Sequence, residues 1–290
     1  MEAFLSATVS ILFHGLAYAM VLYIISVGLS VTMGLMGFVN LAHGVFAMAG
    51  GYVMTTLMNE YDAPFALALL AAFIVVAVVS LALERGLYAR LYGAGDLEQV
   101  MFSIGIIFMA VAAVRSVWGP LPQRMLVPEM LRGSFIFLTR DFPTYRSFLI
   151  LVSFVLIGAL WLGIERTNFG AQIRAAVDNR RMAESLGINT RLLFTLAFAL
   201  GSGLAAIGGG LGADILAINP QYATDYLVYF LMVVSVGGMG SLRGPFAAAL
   251  ILGIGDTACK YLFPQAGAFF IFAAMMIILL IRPAGLFGRA

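Results

Sequence analysis

Apolar runs recur along this chain from end to end, and most are near the length of about 20 residues that crosses a bilayer as an α-helix. Candidate spans lie at roughly 9–33, 38–58, 64–84, 100–118, 147–165 and 191–213. Two shorter apolar pieces follow at roughly 226–239 and 244–258, then a last span at roughly 266–282. Hydrophobic residues make up 62% of the chain and charged residues 10%. Ordinary soluble domains hold about 45–50% and about 25%. The alternating strands of about ten residues that a membrane barrel needs are absent. The expected fold is all-α: one polytopic transmembrane helical bundle over 1–290.

Two glycine-rich breaks qualify that picture. One is Gly34-Leu35-Met36-Gly37-Phe38-Val39-Asn40-Leu41-Ala42-His43-Gly44, the other Gly237-Gly238-Met239-Gly240-Ser241-Leu242-Arg243-Gly244-Pro245. Gly and Pro are the poorest helix formers, so neither segment is expected to stay helical. The second break either lines protein or water at membrane depth or is a turn at the surface, where Arg243 would meet solvent. Met36-Gly37 matches Met239-Gly240, and His43-Gly44 matches Arg243-Gly244, which raises an internal inverted repeat with broken or re-entrant helices as a reading beside chance. Asn40, His43, Ser235 and Ser241, in or beside the breaks, are the candidate solute-path residues. For His43 the competing reading is a satisfied polar group that pins helices together.

Several functions are excluded by what the chain lacks. Lys260 is its only lysine and follows Cys259, so the Gly-Lys pair of a nucleotide-binding P-loop is missing. If ATP drives this protein, another polypeptide binds it. His14 and His43 are the only histidines and have no metal-ligand spacing with Cys, Asp or Glu. There is no nucleophile elbow. The chain is therefore expected to be non-catalytic, with no cofactor and no metal. A net charge of +2 gives no footprint for nucleic acid, and Cys259 alone cannot form an internal disulfide. Met1–Ser10 lacks a basic start, so the first span is expected to act as the insertion signal. Asp256, four residues before Lys260, is expected to pair with it at an interface.

The polar segment 170–191, GAQIRAAVDNRRMAESLGINTR, stands between apolar runs. Ile173, Val177, Met182 and Leu186 recur at near-helical spacing among Arg174, Asp178, Arg181 and Glu184, which predicts a helix over about 170–187. Gly187 suits its end. The mixed charge fits a cytoplasmic protein partner better than anionic lipid. With this island inside, cytoplasmic segments hold nine basic residues and external ones five, the direction that the positive-inside bias requires. The longest soluble loop, about 119–146, then lies outside.

The stretch Ala183-Glu184-Ser185-Leu186-Gly187-Ile188-Asn189 resembles the coupling motif of ABC importer permeases. Met33–Tyr52, Trp118-Gly119-Pro120, the second break, and Arg282-Pro283-Ala284-Gly285-Leu286-Phe287-Gly288 resemble the permeases of branched-chain amino acid importers, in family order. Ser185 stands where that family commonly has a second alanine, and Arg243 where it is often uncharged. The resemblance implies a multi-pass permease of the bacterial inner membrane, forming the solute path with a second permease as a heterodimer. Two cytoplasmic ATPase subunits would dock on the island, at Asp178, Arg181, Glu184 and Gly187, and a periplasmic solute-binding protein would deliver the solute. Relatives carrying urea or short amides are the alternative within the family. A self-sufficient secondary transporter or channel is the alternative outside it.

Overall fold

A computed structural model describes residues 2–137, 140–265 and 267–287. The fold is helical. In order come α1 (Glu2–Met36), α2 (His43–Glu60), α3 (Phe65–Gly86), α4 (Asp96–Trp118), a hairpin of β1 (Ser134–Phe137) and β2 (Arg140–Pro143), and α5 (Thr144–Arg166). Then follow α6 (Asn168–Asp178), α7 (Arg180–Ser185), α8 (Thr190–Leu211), α9 (Tyr222–Asp225), α10 (Leu227–Gly237), α11 (Arg243–Leu262) and α12 (Gly267–Ile281). Five of these stretches, in α1, α3, α4, α5 and α8, are long and apolar enough to cross a membrane. The expected polytopic helical bundle is what forms.

The centre and the rim differ sharply. In α1 and α8, 78% of the apolar window is buried within the protein, against 11% in α5. Lipid offers apolar side chains the same environment as a protein core, so helix association rests on close packing between small residues. Gly28 of α1 and Gly201 of α8 supply that contact: a Cβ on Gly28 would lie 2.3 Å from the Gly201 carbonyl oxygen. Gly28 faces Gly201, Ile25 faces Gly208 and Val21 faces Gly212, so the two helices run antiparallel. The outer faces of α3, α4 and α5 carry Leu70, Val78, Phe108 and Leu151, all exposed and available to lipid.

The first break is held by α4. Val39 N–H donates to Gln99 Oε1 (3.0 Å) and Ser103 Oγ donates to the Val39 carbonyl (3.3 Å). Non-helical backbone away from water requires such partners. The other end of α4 is tied by Trp118 Nε1, which donates to Thr56 Oγ1 at 2.7 Å. From Met36 the chain folds back, so that His43, which opens α2, donates from Nε2 to the carbonyl of Ile25 at 3.0 Å. Ile25 lies about three helical turns before the end of α1. α2 therefore begins inside the bundle.

The second break closes against α1. Gly240 N–H donates to the Ser30 carbonyl (3.0 Å), and Ser30 Oγ donates to the Ser241 carbonyl (3.1 Å). Gly240 also sits on Gly34. Arg243 is exposed and pairs with Glu165 at 3.3 Å, so this break is a turn on the face that carries α6 and α7, the surface reading.

The contacts pair the halves of the chain differently from the sequence match. α1 packs on α11 as α8 packs on α3; α2 packs on α8 as α10 packs on α1; α2 packs on α3 as α10 packs on α11. The unit α1–α2–α3 thus corresponds to α8–α10–α11, with opposite direction. Met36-Gly37 and Met239-Gly240 are not counterparts under that relation, because inversion would place them at opposite faces. They share one face, where glycine serves close approach in both.

Candidate functional site

The island forms two helices where the sequence pattern predicts one over about 170–187. Asn179 adopts an extended backbone (φ −153°, ψ 99°), and its Oδ1 accepts the Met182 N–H at 3.0 Å, capping α7. An asparagine satisfies amide donors through its side chain, so it competes with helix continuation. Thr167 caps α6 by accepting the Gly170 N–H at 3.2 Å. Caps of this kind contribute about 1 kcal/mol each. Gly187 ends α7 at φ +84°, a conformation that a side chain opposes. Around it Gly187 N–H donates to the Glu184 carbonyl (3.0 Å) and Ile188 N–H to the Ala183 carbonyl (3.1 Å).

Glu184 ties this corner together. Its Oε1 accepts Thr190 Oγ1–H at 2.6 Å and Arg180 Nε–H at 2.9 Å. The hydrogen bond from Thr190, then that from Arg180, holds its carboxyl below the ordinary carboxylate value. Arg180 also lies over the Phe194 ring, 4.7 Å from its centroid. Ala183, Ile173 and Ala176 are buried against the bundle, while Met182 and Leu186 are exposed. Arg181 is exposed, and Asp178 closes α6 one residue before the kink. The platform is thus pinned beneath and open above. Val177, on its underside, touches Gly240 of the second break.

The four candidate path residues each have their own setting. Asn40 is buried, with Oδ1 accepting from Tyr88 Oη (3.3 Å) and from Ala42 N–H (3.1 Å). His43 is buried on Ile25, in the position of a pin between α1 and α2. Ser241 Oγ accepts the Gly244 N–H at 3.1 Å, at the start of α11. Ser235 is exposed on α10.

Two polar cavities were not read from the sequence. One, of about 690 Å³, opens beside α7 and is bordered by Arg85, Arg90, Arg180 and Arg191. At its edge the buried Glu84 accepts from Thr195 Oγ1 at 2.7 Å and from Tyr92 Oη. The other, of about 500 Å³, lies at the opposite, hairpin-bearing face among α1, α5, α10 and α11. There Lys260 Nζ donates to Asp256 Oδ2 at 2.6 Å, the pair that the i,i+4 spacing predicts. Arg146 lies 3.7 Å from Asp214 and 2.7 Å from His14 Nδ1.

A multi-pass helical bundle with a buried, inverted pair of central helices and one structured polar platform is the architecture of a membrane permease. Residues 11–280 match the family described as branched-chain amino acid transport system / permease component, and the chain belongs to that family. It is 29% identical to the high-affinity branched-chain amino acid transport system permease protein BraD of Pseudomonas aeruginosa, over 96% of this chain and 95% of the relative. It is 26% identical to the permease protein LivH of the corresponding system of Escherichia coli K12, over 96% and 94%. It is 25% identical to a probable branched-chain amino acid transport permease protein, also LivH, of Methanocaldococcus jannaschii, over 96% and 92%.

Proposed function

We propose that this chain is the membrane-spanning permease domain of an ATP-driven importer for branched-chain or related small amino acids, in the bacterial inner membrane. It forms the solute path with a second permease as a heterodimer. Two ATPase subunits dock on α6–α7 from the cytoplasm, and a periplasmic binding protein delivers solute to the hairpin-bearing face. ATP hydrolysis belongs to the partners, since this chain has no P-loop.

The observation that carries this reading is the platform's placement. Met182 and Leu186 face outward, offering apolar anchors, and Val177 beneath them bears on the turn between α10 and α11 where that turn meets α1. A partner that pushes α6–α7 therefore moves the ends of three bundle helices together. Asp178, Arg181, Glu184 and Gly187 form the docking edge. Glu184→Ala and Gly187→Val should abolish solute-stimulated ATPase activity of the assembled transporter while the chain remains inserted and folded in the membrane. Undiminished stimulation in both variants would reject the docking role.

A further inference from the structure

We infer that the cavity beside α7 is a binding site for the phosphate headgroup of an anionic phospholipid, held by Arg85, Arg90 and Arg191, with an acyl chain laid along the exposed leucines of α8. This goes beyond the importer reading and stands on the fold without it.

The cavity sits at headgroup level. Arg85 lies in the last turn of the apolar span Phe65–Gly86, and Arg191 is the second residue of the span that opens at Thr190. These helices run antiparallel, since Glu84 meets Thr195 and Phe73 meets Gly203. Both arginines therefore stand at one membrane boundary. Arg90, from the short 3-10 helix Tyr88–Leu91, and Arg180, from α7, complete the rim. The charges there are unbalanced. Arg180 is paired with Glu184. Arg85, Arg90 and Arg191 are exposed, and among the described residues no ion pair or hydrogen bond engages their guanidinium groups. Glu84 is the sole carboxylate among the described residues that line the cavity; it is buried, and its oxygens accept from Tyr92 Oη and Thr195 Oγ1. Three converging guanidinium groups repel one another until an anion enters, and their forked donors match paired phosphate oxygens. Basic pockets between membrane helices bind acidic lipid headgroups in this manner.

The apolar part of the ligand is read from α8. Leu192 lines the cavity, and Leu196 and Leu200 follow at intervals of about one turn, all three exposed. Leu200 in turn borders an apolar cavity of about 680 Å³ between α3, α5 and α8, with Leu70 and Phe73. A charged end that continues into an apolar track fits an amphiphile, whereas a free phosphate would use the arginines alone. Arg180 lines the cavity and also holds Glu184 through Nε, so a lipid there bears on the α7 corner.

The test is native mass spectrometry of the delipidated full chain in detergent, titrated with cardiolipin, phosphatidylglycerol or phosphatidylcholine. Each anionic lipid should bind at least about tenfold more tightly than phosphatidylcholine, the order expected when several arginines meet an acidic headgroup. Inorganic phosphate added in excess should not displace it; displacement would assign the arginines to a free anion and overturn the lipid site. The double variant Arg85→Gln/Arg191→Gln should lose the headgroup preference, and Arg85→Lys/Arg191→Lys should keep most of it. Arg166→Gln/Arg282→Gln removes the same charge from the same face outside the cavity and should keep all of it. No headgroup preference in the wild-type chain, a preference untouched in Arg85→Gln/Arg191→Gln, or an equal loss in Arg166→Gln/Arg282→Gln would overturn the site. The headgroup comparison on the wild-type chain decides the matter even where a variant fails to fold.

Discussion

At the scale of single residues, the bundle depends on places where side chains are missing or fully satisfied. Gly28 and Gly201 let α1 and α8 touch through backbone, and a valine at 28 would drive into the Gly201 carbonyl. Gly28→Val should destabilise the folded protein by about 1–3 kcal/mol, the usual range for overpacking, read as a lower thermal midpoint in detergent. Glu184 gives a pH-dependent corner. Its carboxyl sits below the ordinary carboxylate value because Thr190 and Arg180 donate to its charged form. A depressed folded-state value means that the contribution is present above the unfolded value and lost as pH falls through the folded one. Amides 186–190 should therefore exchange more slowly in the wild type than in Glu184→Ala at neutral pH, and equally only in acid below the lowered value that Glu184 has in the folded protein. An equal rate at neutral pH would remove Glu184 from the corner. Gly187 as a helix end and the Asp256–Lys260 pair were legible in the sequence, because each is set by neighbours within one helical turn. The Arg146–His14 contact was not, since its partners stand 132 positions apart.

At the scale of elements, the spans were legible from apolar run length, and the island from its polarity. The split of the island at Asn179 was not, because an asparagine on the polar side fits a continuous helical pattern until its side chain takes the Met182 amide. The kink has a mechanical meaning. Under the proposed docking role it orients α7 separately from α6, which carries Val177 against Gly240. Val177→Ala should leave ATPase docking intact in co-purification and lower solute-stimulated hydrolysis, by a factor within the roughly 5- to 150-fold span of ordinary coupling between sites. Loss of docking itself would place Val177 in the wrong role. The depth of the second break was open in the sequence for a related reason: glycine-rich backbone suits a surface turn and a buried bend alike. What separates them is their partners, Gln99 and Ser103 of α4 for the first and the Arg243–Glu165 pair for the second.

At the scale of the whole molecule, two faces follow from the fold: one bears α6–α7 and the Arg243–Glu165 pair, the other the hairpin and the cavity bordered by Arg146 and Lys260. The basic-residue bias predicts that the first lies inside. In a Cys259→Ala background, Met130→Cys should react with a membrane-impermeant thiol reagent from outside intact cells, and Leu186→Cys only after permeabilisation. Both parent side chains are exposed in the protein. Reaction of both from one side would reverse or refute the orientation. The inverted correspondence of α1–α2–α3 with α8–α10–α11 was hidden from a direct match of sequence, because it is preserved in packing partners and not in the residues at the breaks.

One of the two most buried spans, α1, is made well before the helices it packs on. α1 finds its main partners in α8 and α11, and α8 starts only at Thr190. At the usual ~5–20 residues per second of synthesis, the ribosome needs on the order of ten seconds or more after finishing α1 to complete α8. For that interval Ser26, Ser30 and the glycine surface of α1 face lipid or the insertion machinery instead of their final neighbours. A ribosome stalled midway leaves a membrane-inserted fragment whose core is bare, the form that membrane quality-control proteases should clear first.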